Sequence, residues 1–190
     1  PEEVMMASKV IEQLKEKMGQ SVEALKRDLT KIRTGRASLA LLDDITVDAY
    51  GQRMHLNQVG TLTIPESRMI AIQPWDPQML HVMEKAILSS GIGLTPANDG
   101  KVIRLTIPQL TEERRRDLVK QVKKISEEFR VAVRNVRRDT NEVLKNMKKD
   151  KEISEDDMFR MQEEAQKLTD NFIKKIDEIA AGKEKEVMEV

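Results

Sequence analysis

Phe129-Arg130-Val131-Ala132-Val133-Arg134-Asn135-Val136-Arg137-Arg138-Asp139 alternates apolar and arginine residues in a rhythm of three and four. At roughly 100° per residue on a helix, Arg130, Arg134 and Arg137 fall within an arc of about 60°. Lys123, further upstream, joins that stripe, while Phe129, Val133 and Val136 turn away from it together with Val122 and Ile125. Such a helix buries one face and displays a row of guanidinium groups on another. Arginine forks match phosphate oxygens in pairs, and no acid interrupts the row from Arg130 to Arg138. A solvated face is the ordinary explanation of a charged helix. The acid-free row favours a surface that binds a nucleic-acid backbone.

The same periodicity extends in both directions. Leu118, Val122, Ile125, Phe129, Val133, Val136, Thr140, Val143 and Met147 form one apolar stripe, with Thr111 placed to cap its start and Glu112 and Glu113 on the positive end of the helix dipole. Upstream, Ile11, Leu14, Met18, Val22, Leu25, Leu29 and Ile32 predict a first long helix. Downstream, Met158, Met161, Ala165, Leu168, Phe172, Ile176 and Ile179 predict a third. Its start is marked by Ser154-Glu155-Asp156-Asp157, with Ile153 and Met158 spaced as a hydrophobic staple. Residues Lys148 to Lys151 are the short polar connection. Helices this long cannot leave an apolar stripe in water, so an antiparallel three-helix bundle is expected.

Between the first two helices the period changes. Ile45, Val47 and Ala49 alternate with Thr46, Asp48 and Tyr50, as in a strand, and Gly51-Gln52 reads as the turn. Further β-prone runs are Val59–Ile64, Met69–Ile72 and Val102–Ile107. Asp76-Pro77 opens a helix to about Ser89, while Gly91, Gly93 and Thr95 to Gly100 read as loop. The expected fold class is α+β, with residues 1–35 and 108–190 forming the bundle and 36–107 an inserted small α+β domain. Thr34-Gly35 and Pro108-Gln109 are the junctions, and two thin adjacent crossings make a candidate hinge.

The bulk numbers restrict the class. Lys+Arg 33 balances Asp+Glu 33 over 190 residues, so attraction to a polyanion must come from local segregation of charge. Charged residues at 35% with aromatics at 3% suit long solvated helices. With no cysteine there is neither disulfide nor thiol catalysis. No apolar run approaches the ~20 residues that span a bilayer, and Pro1-Glu2-Glu3-Val4 lacks the layout of a secretory signal, so a soluble protein is expected.

Catalytic groupings are missing. His55 and His81 would need further metal ligands that no spacing supplies. Arg33-Thr34-Gly35-Arg36 is not a phosphate loop. Asp43-Asp44 and Glu155-Asp156-Asp157 read as turn and cap residues, and Ser89-Ser90 has no base nearby. Trp75 and Tyr50 are expected to pack the small domain, although an exposed Trp75 would suit a partner. No enzyme, catalytic residue, cofactor, metal or small-molecule substrate is expected.

Several segments resemble the ribosome recycling factor family. Lys31-Ile32-Arg33-Thr34-Gly35-Arg36-Ala37-Ser38 looks like that family's first-helix ending, and Leu110-Thr111-Glu112-Glu113-Arg114-Arg115 like its second-helix start. Val131 to Asp139 matches its central helix, and Lys151 to Asp156 with Gln166-Lys167-Leu168-Thr169-Asp170 its third. The match runs in order through nearly the whole chain. Departures are Ala49, where an aromatic residue is commoner, Thr140, where alanine is common, and Gly91, where an acid is usual. Gln73-Pro74 and Asn98-Asp99-Gly100-Lys101 look slightly more like cyanobacterial or plastid members, which leaves a bacterial cytoplasm or a plastid stroma as compartments.

The resemblance implies an L-shaped monomer of tRNA size, the bundle one arm and the inserted domain the other. It implies binding to large-subunit rRNA across the tRNA sites after termination, and separation of the subunits with elongation factor G and its GTP hydrolysis. Arg134, Arg137 and Arg138 match the family's rRNA-contacting helix. Arg130, which shares their stripe, is expected to bind rRNA with them, and Arg33, Arg36, Arg114 and Arg115, at the bundle end near the hinge, are expected to reinforce the contact. The rival class is a helical adaptor or chaperone that never touches RNA; it leaves the arginine row unexplained.

Overall fold

Gly60 shows how tightly the inserted part of the chain is drawn together: a Cβ built on it would stand 2.8 Å from the Gln73 carbonyl oxygen and 3.2 Å from Met83 Cε. Only glycine lets that strand lie so close to its neighbour and to the helix across it. The computed structural model describes residues 2–189, the side chains of Glu3 and Val4 excepted. Pro1 and Val190, the ends of the expected bundle segments, lie outside the described residues. The chain divides into two compact units, Pro1–Ile32 with Glu112–Val190, and Arg33–Thr111. The inserted unit thus begins before, and ends after, the 36–107 read from sequence.

The first unit holds three helices: α1 (Glu2–Thr30), α3 (Glu112–Lys149) and α4 (Glu155–Met188), each packed on the other two. The expected α1 stripe is buried throughout, from Ile11 to Ile32. On α3, Leu118, Val122, Val133, Thr140 and Met147 are buried, but Ile125, Phe129 and Val136 are only half-buried and Val143 is 45% exposed. Ser126 and Leu144 fill the core in its place. On α4, Leu168 and Ile179 are half-buried, and Thr169 and Ala180 point inward beside the expected residues. The Ser126 and Thr169 hydroxyls are satisfied locally, each donating to the carbonyl four residues back at 2.7 Å.

The α3–α4 turn closes on a left-handed residue. Lys151 has φ 59°, its N–H donates to the Lys148 carbonyl at 3.0 Å, and the Glu152 N–H reaches the Met147 carbonyl at 2.8 Å. That pair of bonds ends a helix with a residue usually glycine. Ser154 caps α4 by accepting from the Asp157 N–H at 3.1 Å, and Ile153 and Met158 are both buried around it.

The second unit contains a hairpin, β1 (Thr46–Ala49) and β2 (Gln52–His55), and an antiparallel sheet ordered β3-β4-β6-β5. The sheet strands are β3 (Gly60–Glu66), β4 (Met69–Pro74), β5 (Pro96–Asn98) and β6 (Ile103–Thr106). Ile70 faces Leu105 and Ile72 faces Ile103 in register, and all four are fully buried. α2 (Leu80–Ser89) adds Met83 and Ile87 to this core. Asp76 starts its preceding turn by accepting from the Gln78 N–H at 3.0 Å.

Three expectations are corrected here. The hairpin turn is Tyr50-Gly51, both at positive φ (53° and 80°), and Gln52 already belongs to β2. Pro96–Asn98, read as loop, is an edge strand, a position that tolerates proline. Trp75 and Tyr50 are 64% and 70% exposed, tethered by Trp75 Nε1 to Thr61 and Tyr50 Oη to Asp76, so neither packs the domain.

Candidate nucleic-acid interface

Two arginines of the α3 row, Arg130 and Arg137, stand at the edge of its buried face, not opposite it. At 100° per residue Arg137 lies about 40° and Arg130 about 60° from Val133, which brings both against α4. Arg130 Nε donates to Asp177 at 2.7 Å, and Arg137 Nη1 donates to Gln166 at 2.9 Å. Advancing along α3 therefore retreats along α4, so the two helices are antiparallel.

The charge available to a ligand rises along the row. Arg130 is held by two carboxylates, Asp177 and, at 3.1 Å, Glu127, and its side chain is only 22% exposed. Partial burial alone would lower its pKa, but the bonds from Asp177 and Glu127 outweigh that and raise it. Arg134 shares Glu127 at 3.4 Å. Arg137 is half-buried and, among the described residues, bonds to the neutral amide of Gln166 and to no carboxylate. Arg138 is exposed and forms no hydrogen bond or ion pair among the described residues. The sequence row has no internal acid, but Glu127, one turn before it, and Asp177 on another helix neutralise its first part.

The remaining basic candidates are dispersed. Arg33 belongs to the inserted unit, where Nη1 donates to the Ile92 carbonyl at 3.2 Å. Arg36 and Arg114 are exposed, while Arg115 is half-buried with its Nε enclosed and unbonded. Lys123 does extend the α3 surface. With Arg116, Lys120, Lys185 and the acid Glu184 it lines a groove of about 560 Å³, alongside Val119, Ala181 and Met188. Arg116, Lys120 and Lys185 were missed by the sequence reading, although Lys120 stands only one turn from Lys123.

His55 and His81 are exposed, and no group of three or more histidines, cysteines or acids is placed to hold a metal among the described residues. No helix among them is long and apolar enough to cross a membrane.

Fold and surface define a class: a long three-helix bundle with a graded basic face, carrying a small inserted sheet unit. The family model described as ribosome recycling factor matches residues 25–188. The ribosome-recycling factor of Desulfotalea psychrophila is 69% identical over 183 residues, 96% of this chain and 100% of that protein. That of Geobacillus thermodenitrificans is 56% identical over 185 residues, 97% of this chain and 100% of its own. A solution structure of a ribosome recycling factor is 42% identical with a TM-score of 0.73, covering 97% of this chain and 98% of that one. A second structure sets T. thermophilus ribosome recycling factor and E. coli elongation factor G on the E. coli post-termination complex; it is 43% identical, with a TM-score of 0.61, covering 96% and 99%. The chain belongs to the ribosome recycling factor family.

Proposed function

We propose that this protein binds the post-termination ribosome across the tRNA sites of the large subunit. With elongation factor G and GTP it separates the subunits and frees mRNA and tRNA. The observation that carries the reading is the graded arginine row of α3, whose open end, Arg137 and Arg138, has no carboxylate partner among the described residues. Helix α4 holds Arg130 and Arg137 in place through Asp177 and Gln166. Arg134, Arg137 and Arg138 are the proposed rRNA contacts. Arg36, Arg114 and Arg115 are proposed to reinforce them, while Arg130 and Arg33 act first as structural ties. The protein works as a monomer in the bacterial cytoplasm, a compartment supported by its bacterial relatives.

The inserted unit is proposed to pivot on its two chain crossings during splitting. Thr34, Gly35, Pro108 and Gln109 all lie on the inserted unit's side of the division, so the rotation falls at or just outside them. The function is tested by ribosome cosedimentation of Arg137→Ala over a salt series. Affinity is expected to fall by roughly 1 to 3 kcal/mol, and the salt slope to flatten by up to about one unit. Parent-like binding at every salt concentration would leave the row a solvated face.

A further inference from the structure

Arg137 is tied to α4 through a chain of two hydrogen bonds. Its Nη1 donates to Gln166 Oε1 at 2.9 Å, and Gln166 Nε2 donates to Asp170 Oδ1, also at 2.9 Å, one turn further along α4. The direction of the chain is dictated by chemistry. A guanidinium has only donors and an ionised carboxylate only acceptors, so the amide between them fits in one orientation. Turning it over would set N–H against N–H and oxygen against oxygen. Asp170 thus fixes which end of Gln166 meets Arg137.

The group that meets Arg137 directly is neutral, and that distinguishes Arg137 from its neighbours. Arg130 meets Asp177 and Glu127, and Arg134 meets Glu127. A carboxylate at position 166 would immobilise Arg137 equally well but cancel its charge. The amide engages one N–H and leaves the charge, with the donors it does not engage, for a ligand. An arginine side chain has much rotamer freedom to lose on binding, and fixing it beforehand reduces that loss.

We propose that Gln166, oriented by Asp170, is a positioning residue that presents Arg137 to an RNA phosphate without neutralising it. This rests on the reading of α3 as the rRNA-binding helix. The test compares Gln166→Leu, Gln166→Glu, Arg137→Ala and the Gln166→Leu/Arg137→Ala double variant in the full chain. Each is measured for affinity to vacant 70S ribosomes over a salt series and for its denaturation midpoint. Gln166→Leu is expected to weaken binding roughly threefold to tenfold, with the midpoint and salt slope of the parent, because the charge remains. Gln166→Glu is expected to weaken it and to flatten the salt slope, because Arg137 is then paired. In the Arg137→Ala background, Gln166→Leu should add nothing. Parent-like affinity of Gln166→Leu beside a weakened Arg137→Ala overturns the positioning role alone. A Gln166→Leu loss that persists without Arg137, or that tracks a lowered midpoint, also overturns it. If Arg137→Ala binds like the parent, the RNA reading falls and takes this inference with it.

Discussion

A Cβ built on Gly35 would stand 3.1 Å from Cγ of Leu110, so the segments that enter and leave the inserted unit meet at a place tight for any side chain. Gly35 also has φ 77°, a conformation that side chains disfavour. Gly35→Ala therefore meets both backbone strain and a crowded leucine, and the expected cost is about 1 to 2 kcal/mol. Adding Leu110→Ala should relieve the crowding but not the strain, and chemical denaturation of the two variants separates the parts. If Gly35→Ala is as stable as the parent, the two segments are not held in this contact.

The gradient of pairing along α3 predicts opposite behaviour at its two ends. Arg138→Ala, at the open end, should leave the denaturation midpoint in place, weaken ribosome binding by about 1 to 2 kcal/mol and reduce the salt slope by about one unit. Arg130→Ala removes a partly buried link between α3 and α4. It should destabilise the bundle by roughly 0.5 to 1.5 kcal/mol, with the smaller effect on binding. Equal binding losses from the two variants would contradict the ranking of available charge.

Acid should loosen the β5–β6 turn in a defined sense. Asp99 accepts from Arg104 at 2.8 Å and from the N–H groups of Val102 and Lys101, and these bonds hold its carboxyl well below the usual carboxylate range, Arg104 most strongly. A carboxyl with a depressed folded pKa stabilises the fold above its unfolded pKa, and the contribution is lost as pH falls through the folded value. In an NMR titration Asp99 should stay ionised while unpaired aspartates protonate near ~3.9. A midpoint in that ordinary range would mean the turn's bonds do not form in solution.

The left-handed residue between α3 and α4 is a lysine, and this offers a stabilising change. Lys151 at φ 59° occupies the position where helices usually carry glycine. Its side chain is exposed, so Lys151→Gly sacrifices little contact. The expected gain is about 0.5 to 1 kcal/mol, the backbone relief exceeding the added freedom of the unfolded chain. A lowered thermal midpoint would show that Lys151 contributes something beyond its backbone bonds.

Periodicity revealed the helices because their apolar stripes repeat over many turns, and Asp76-Pro77 and Ser154 marked two starts through local chemistry alone. The short elements were harder. Gln52 to His55 has no apolar pattern and is a strand only because Tyr50-Gly51 folds it onto β1. Pro96–Asn98 has loop composition and is held by β6. The arginine row was legible as a row. Its partners Asp177 and Gln166 lie 47 and 29 positions away from the arginines they hold, a distance that single-helix geometry does not bridge.

Finer helix geometry separates two residues that simple three-and-four stepping left open. From Thr140, a step of three reaches Val143 and a step of four reaches Leu144, and both continue an apolar stripe. At 100° per residue, however, Val143 falls about 80° from Val133 and Leu144 about 20°. The structure agrees, with Leu144 wholly enclosed and Val143 45% exposed. Leu144→Ala should therefore leave a cavity and cost about 2 to 5 kcal/mol, whereas Val143→Ala should stay within about 0.5 kcal/mol of the parent. Phe129→Ala, removing a half-buried ring, should fall between them, below the roughly 3 to 5 kcal/mol of a fully enclosed phenylalanine. Denaturant midpoints of the three variants fix the rotation of α3 about its axis. A Val143→Ala loss as large as that of Leu144→Ala would mean the helix is turned by most of a residue, and the arginines with it.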